Sequence, residues 1–193
     1  MKTPPWGVGF PNPGTILAVM GRPLEELPLF PLNTVLFPLA PLHLHVFEPR
    51  YLEMIRLCMA EDRPFGVVLI REGEEVGETP DPYLVGTIAR IEKAVIHDET
   101  SIDVRARGEG RFRIRRLDES RPYLVGYIEH LAEEAIDESP RSQAIISRAR
   151  EIGETIITAL FDGAEVRVAK IKLHRDPQIL SFLLAGFVQG TFL

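Results

Sequence analysis

The chain predicts an α+β fold, with strands and one early helix first and helices afterwards. Three observations carry this. Residues 83–98 and 101–117 alternate apolar and polar side chains with a period of two, as strands with one buried face do. From Ser139-Pro140 onwards the apolar residues recur at three- and four-residue steps instead. The stretch LPLFPLNTVLFPLAPLHLHVFEPRYLEM (27–54) packs five prolines among Leu, Phe and Val and then turns into an amphipathic helix. Runs of strands followed by runs of helices segregate into an α+β arrangement.

The elements follow in order. Pro4, Pro5, Gly7, Gly9, Pro11, Pro13 and Gly14 break up residues 1–24, which are expected to form a flexible extension without a secretory signal core. Met20 is read as a candidate for the true start of translation. Proline lacks an N–H, so Pro28, Pro31, Pro38 and Pro41 predict short interrupted strands and turns rather than a regular central strand. The segment is too apolar for a linker and must lie over a core. Pro49 suits the first position of a helix, where Tyr51, Leu52, Ile55, Cys58 and Met59 share a face and Arg63-Pro64 ends it. FGVVLI (65–70) predicts a strand buried on both faces, and 71–82 an exposed acidic loop.

Glu99-Thr100 turns between the two long strands, and Gly108-Glu109-Gly110 predicts a bend or bulge in the second. PYLVG occurs at 82–86 and again at 122–126, read as two strands entering the sheet alike, each glycine marking a bend. The last strand spans Tyr123–Leu131. Ile145, Ala149, Ile152, Ile156 and Leu160 predict the buried face of the next helix, closed by Asp162-Gly163. Residues 165–175 are ambiguous, with a lean to helix. A final helix starts at Asp176-Pro177, and Ile179, Leu180, Phe182, Leu183, Leu184, Phe187 and Val188 cover most of its circumference. A helix apolar all round must be buried somewhere. The predicted division is a flexible 1–24, a β-rich unit at 25–134 and a helical unit at 138–193.

PLFPL (28–32), VLFP (35–38) and HVFEPRYLEM (45–54) together resemble the opening of the Lon N-terminal, or LON substrate-binding, domain. The resemblance continues through VGTIARI (85–91), GEGRFRI (108–114), PYLVGYIE (122–129) and DPQILSFLLAGF (176–187). It implies a compact, PUA-like β-barrel-type core joined to a helical bundle. It also implies a stand-alone member that recognises substrate without ATPase or peptidase domains. Family members commonly continue with a charged helical segment where this chain stops.

The remaining chemistry is sparse. A net charge of −6 disfavours general nucleic-acid or anionic-membrane binding, and no apolar run approaches the ~20 residues that span a bilayer. The single cysteine, Cys58, excludes an intrachain disulfide framework. No GxxxxGK[ST] loop is present and no serine lies in a nucleophile motif, so no enzyme activity and no cofactor are expected. His43, His45 and nearby Glu48 could hold a metal only if another ligand converged; rim hydrogen bonding is preferred and no metal is assigned. Arg105, Arg107, Arg111, Arg113, Arg115 and Arg116 form the one strong basic cluster. It admits RNA binding as a weaker alternative to a solvated, carboxylate-paired face.

Phe30, Leu36, Phe37, Phe47 and Tyr51 are the candidate apolar recognition surface, with core burial as the competing reading. Glu48, Pro49 and Arg50 of the FEPRY motif are read as structural. The expected function is cytoplasmic and non-catalytic: binding of unfolded or apolar polypeptide segments. The alternative is a structural, regulatory or oligomerisation module that docks on a protease, a chaperone or, through the 176–193 helix, a second copy.

Overall fold

The computed structural model describes residues 24–77, 79–133, 135–162 and 173–191. The 1–24 extension (apart from Leu24), its Met20, Gly163 of the expected helix stop, and residues 165–172 of the ambiguous stretch lie outside them. Six strands, β1 (Glu25–Leu32), β2 (Pro41–Val46), β3 (Phe65–Glu72), β4 (Asp81–Ile96), β5 (Ile102–Asp118) and β6 (Val125–His130), form one sheet in the order β2-β5-β4-β3-β1-β6. β6 also pairs back onto β5. β5 can serve so many neighbours because it is long. Its first part pairs with β2, its last part with β6, and β4 runs alongside between Ile102 and Arg113. The pairings therefore run in a ring through β5, although the sheet does not close into a clear barrel. Helix α1 (Pro49–Ala60) follows β2, while α2 (Pro140–Asp162) and α3 (Pro177–Thr191) follow the sheet.

β1 is a continuous strand despite Pro28 and Pro31, where short interrupted pieces were expected. The reason is a change of partner. Glu25–Pro28 pair antiparallel with β6, and Leu29–Leu32 pair parallel with β3. The Leu29 N–H points to the β6 side, donating to Leu124 O at 2.8 Å. By alternation Pro28 would donate towards β3, one residue before that pairing begins, and Pro31 towards β6, after that pairing has ended. Each missing N–H falls where no acceptor waits.

The residues that alternate inward build two cores. Phe30, Val46, Tyr51, Met54, Ile55, Phe65 and Ile102 join α1 to the sheet, and Leu27, Leu29, Val68, Ile88, Phe112 and Ile128 form a second cluster. The expected bulge in β5 is present: between the pairs Thr87↔Arg111 and Ala89↔Gly108, β5 carries one residue more than β4. The glycines of the two PYLVG copies, Gly86 and Gly126, lie inside β4 and β6.

α2 buries a different face from the predicted one. Ile146, Gly153 and Ile157 pack with Leu173, Leu180 and Leu184, while Ile145, Ile152 and Ile156 stay exposed. Backbone clearance explains the choice. A side chain at Gly153 would start 2.4 Å from Leu184 Cδ2, so α3 packs where α2 has no Cβ. Counting isoleucines on the sequence gives no weight to that glycine. No helix among the described residues is long and apolar enough to cross a membrane.

Candidate functional site

The loop between β1 and β2, residues 33–40, is carried across β5 and pinned there. The Thr87 hydroxyl donates to Leu36 O at 2.6 Å, Leu39 N to Gly108 O at 2.8 Å, and Gly108 N to Ala40 O at 2.9 Å. Leu39 takes a positive φ of 69°, uncommon for a residue with a side chain, and its carbonyl accepts from Arg107 at 3.0 Å. Gly108 permits the crossing, because a Cβ there would lie 2.3 Å from Phe37 O. α3 stands opposite this loop. Between them opens a groove of about 450 Å³, walled by Phe37, Pro38, Leu39 and Leu42 on one side and Phe182, Leu183 and Phe187 on the other. Among the described residues its lining includes no charged side chain, and Thr34 is the only polar one.

A larger hollow of about 670 Å³ lies below, between the sheet and the starts of α2 and α3, but Arg111, Arg113 and Glu133 line it. The uncharged groove is the better fit to apolar ligands, since a buried charge needs a partner.

The five sequence-predicted recognition residues separate. Phe30 and Tyr51 are core, stacked with ring centroids 4.2 Å apart, and burial pushes the Tyr51 hydroxyl up to about 12. Leu36 is buried yet contributes to the groove, and Phe37 is half-buried in its wall. Phe47, 52% exposed, sits elsewhere, beside a hollow formed with Pro49, Leu52, Arg56 and Glu99. Sequence reasoning missed Leu39, Leu42, Phe182, Leu183 and Phe187. The available signal was the all-round apolar α3, which pointed to burial without naming its neighbour.

The FEPRY residues sit at the start of α1. Pro49 opens α1, and Glu48 occupies the cap position without a side-chain cap bond. Its carboxylate instead pairs with Arg50 at 3.0 Å and accepts from Gly77 N at 3.3 Å. The Arg50 guanidinium lies 4.6 Å over the Tyr51 ring.

The histidines are brought together differently from the expected His43–His45–Glu48 set. His45 Nδ1 and His97 Nε2 both contact the Asp103 carboxylate, at 2.7 and 2.6 Å, and these bonds hold that carboxyl below its ordinary range. Among the described residues no three His, Cys, Asp or Glu side chains converge as a metal requires. Four of the six arginines pair with carboxylates of neighbouring segments. Arg105 and Arg107 pair with Glu92, Arg111 is bidentate to Glu133, and Arg115 pairs with Glu129. Arg116 stacks 3.6 Å over the Tyr127 ring.

A ring-paired sheet with one early helix, followed by two helices of which the second walls an apolar groove, defines an α+β domain compatible with a PUA-like fold. The chain belongs to the ATP-dependent protease La (LON) substrate-binding domain family, whose model matches residues 26–192. Lon protease 2 of Myxococcus xanthus is 30% identical over 168 residues, covering 85% of this chain and 20% of its own length. The Lon protease of Anaeromyxobacter dehalogenans is 30% identical over 166 residues, with coverages of 84% and 20%. The chain thus spans about a fifth of the length of these relatives. Among solved structures, the Lon N-terminal domain protein from Xanthomonas campestris matches with TM-score 0.55 and 29% identity, covering 84% of this chain and 98% of that one. The N-terminal domain of Mycobacterium avium complex Lon protease matches with TM-score 0.56 and 13% identity over 72% of each chain, a likeness of fold alone.

Proposed function

We propose that this protein is a cytoplasmic, non-catalytic recognition module that holds exposed apolar stretches of unfolded polypeptide in the groove between residues 34–42 and α3. In this reading the 25–134 unit supplies one wall and the 138–193 unit the other. The observation that carries it is the lining itself: large apolar side chains on both walls and, among the described residues, no charge. Such a groove gains from burying side chains, at about 1.5–3 kcal/mol each, and asks little of ligand sequence. Two or three seated side chains give about 3–9 kcal/mol before the cost of ordering a floppy chain is subtracted, so the binding is weak and reversible. No covalent step and no cofactor enter.

A second reading, docking on a folded protease or chaperone, is favoured by exposed Phe47, which lies outside the groove. The test is fluorescence anisotropy with a labelled, permanently unfolded model protein and an array of peptides graded in apolar content. Saturable binding that rises with apolar content is expected. Absence of binding to every unfolded ligand overturns the proposal in favour of folded-partner docking.

A further inference from the structure

The larger hollow beside the groove carries a charge that the chain does not spend. Among the described residues its charged lining is Arg111, Arg113 and Glu133. Arg111 is used up on Glu133, its Nε and Nη2 donating to the two carboxylate oxygens at 2.9 and 2.6 Å. Arg113 is exposed, and among the described residues no carboxylate pairs with it. Glu129 stands directly across from it on β6, but that carboxylate is held by Arg115 at 2.7 Å. The starts of α2 and α3 are satisfied within the chain. Ser139 Oγ accepts from Ser142 N, and the Asp176 carboxylate from Gln178 N and Ile179 N. Arg113 is thus the unspent charge of this lining.

Apolar side chains frame it. Leu131, Ile136, Ile145 and Ile146 line the same hollow, Ile145 at 60% exposure. Phe182 lines both this hollow and the uncharged groove, so one bound chain can pass from one to the other. At about 670 Å³ the hollow has the size of sites that seat a stretch of ligand, not a lone ion.

We infer that Arg113 reads an acidic side chain of the bound polypeptide, an Asp or Glu next to the apolar stretch that fills the groove. The inference rests on the proposed function and narrows its ligand class to apolar segments flanked by acid. Charge complementarity selects this occupant. A guanidinium offers paired N–H donors in the geometry a carboxylate accepts, and the Gln178 amide lines the same space. A nucleic-acid backbone carries a charge at every step and needs several unspent cations, whereas Arg105, Arg107, Arg111 and Arg115 are paired. A basic flank is repelled, so the site discriminates by sign as well as by hydrophobicity.

Fluorescence anisotropy of the full chain with three labelled peptides tests it. The peptides share one apolar core, have blocked ends, and carry Glu, Gln or Lys on both sides of the core. The Glu peptide is expected to bind roughly fivefold more tightly than the Gln peptide, the upper range for a partly exposed ion pair, and the Lys peptide to bind most weakly. The spread should narrow as salt rises. Arg113→Gln is expected to close the gap between the Glu and Gln peptides, and Arg113→Glu to reverse the order of the Glu and Lys peptides, both with unchanged circular dichroism. Arg105→Gln removes a paired arginine outside the hollow and is expected to keep the wild-type order. Equal binding of all three peptides by the wild type overturns the inference and leaves the groove reading standing. A preference for Glu that survives Arg113→Gln overturns the assignment to Arg113. Binding of none of them overturns both.

Discussion

Phe30 of β1 lies almost flat on Tyr51 of α1, with 15° between the ring planes, and Phe65 of β3 meets the same Phe30 ring at 6.2 Å. These rings fasten the first helix to the sheet, in place of the ligand contact that the sequence allowed. Phe30→Ala is expected to lower stability by about 3–5 kcal/mol, the usual cost of a large core cavity. Urea denaturation measures it. A loss below about 1 kcal/mol would show that the pair does not hold the helix.

Gly108 and Gly110 stand two residues apart in β5 and should respond oppositely to alanine. A Cβ on Gly108 would start 2.3 Å from Phe37 O, a backbone atom that cannot swing aside, and the loop walling the groove would have to move. A Cβ on Gly110 meets nothing within 4 Å. Gly108→Ala is expected to lose about 2 kcal/mol or more and Gly110→Ala less than about 0.5 kcal/mol. Thermal melts of the two variants side by side decide it; equal losses would refute the crossing geometry.

Cys58 is 1% exposed, and burial pushes its thiol up to about 11. Thiolate is the reactive form, so the native thiol is doubly protected. A disulfide reagent at neutral pH is expected to react only as fast as the protein opens, and at once in denaturant. Immediate reaction of the folded chain would place the thiol at the surface.

Much of the fold was legible because its signals are local. Pro49 marked the start of α1, alternation marked β4 and β5, and the glycines at 108 and 110 marked the bulge. The groove was legible only by half. Leu36 and Phe37 were named from their proline-rich setting, but their opposite wall comes from residues some 145 positions later. Such a pairing is set by where α3 can approach, and that depends on glycine clearances at 108 and 153, which hydrophobic periodicity does not encode. Phe30 and Tyr51 were candidates for the converse reason: an aromatic residue beside proline reads the same in a core as on a surface.

Acid should unfold this protein through several depressed carboxyls. Asp103 is held low by His45 and then His97, Asp98 first by Thr100, Asp118 by Ser120 and Asp137 by Ser139, all from an ordinary 3.8. A depressed folded-state value means that the unfolded chain binds more protons there, so stability rises with pH through that range. The contribution is complete above about 3.8 and is lost as pH falls through the lower folded-state values. Melting temperature is expected to stay level from neutral pH towards 3.8 and to drop below it. Asp103→Asn should shallow that acid limb, and an acid limb unchanged in this variant would remove Asp103 from the account.

Gly186 offers the sharpest test of the groove, because it lines the cavity on α3 and a Cβ there meets nothing within 4 Å. Gly186→Leu therefore grows a side chain into the open space without displacing a neighbour. In a helix interior the change also removes glycine's backbone freedom, worth about 1 kcal/mol of helix preference. The variant is expected to fold at least as stably as the wild type while losing most of its affinity for unfolded polypeptide. The pairing of these readouts gives the test its force, since most site variants that abolish binding can be blamed on lost stability. Anisotropy titration and a thermal melt on the same preparation supply both. A stable Gly186→Leu protein that still binds unfolded chains as tightly as the wild type would remove the groove from the mechanism and direct attention to Phe47.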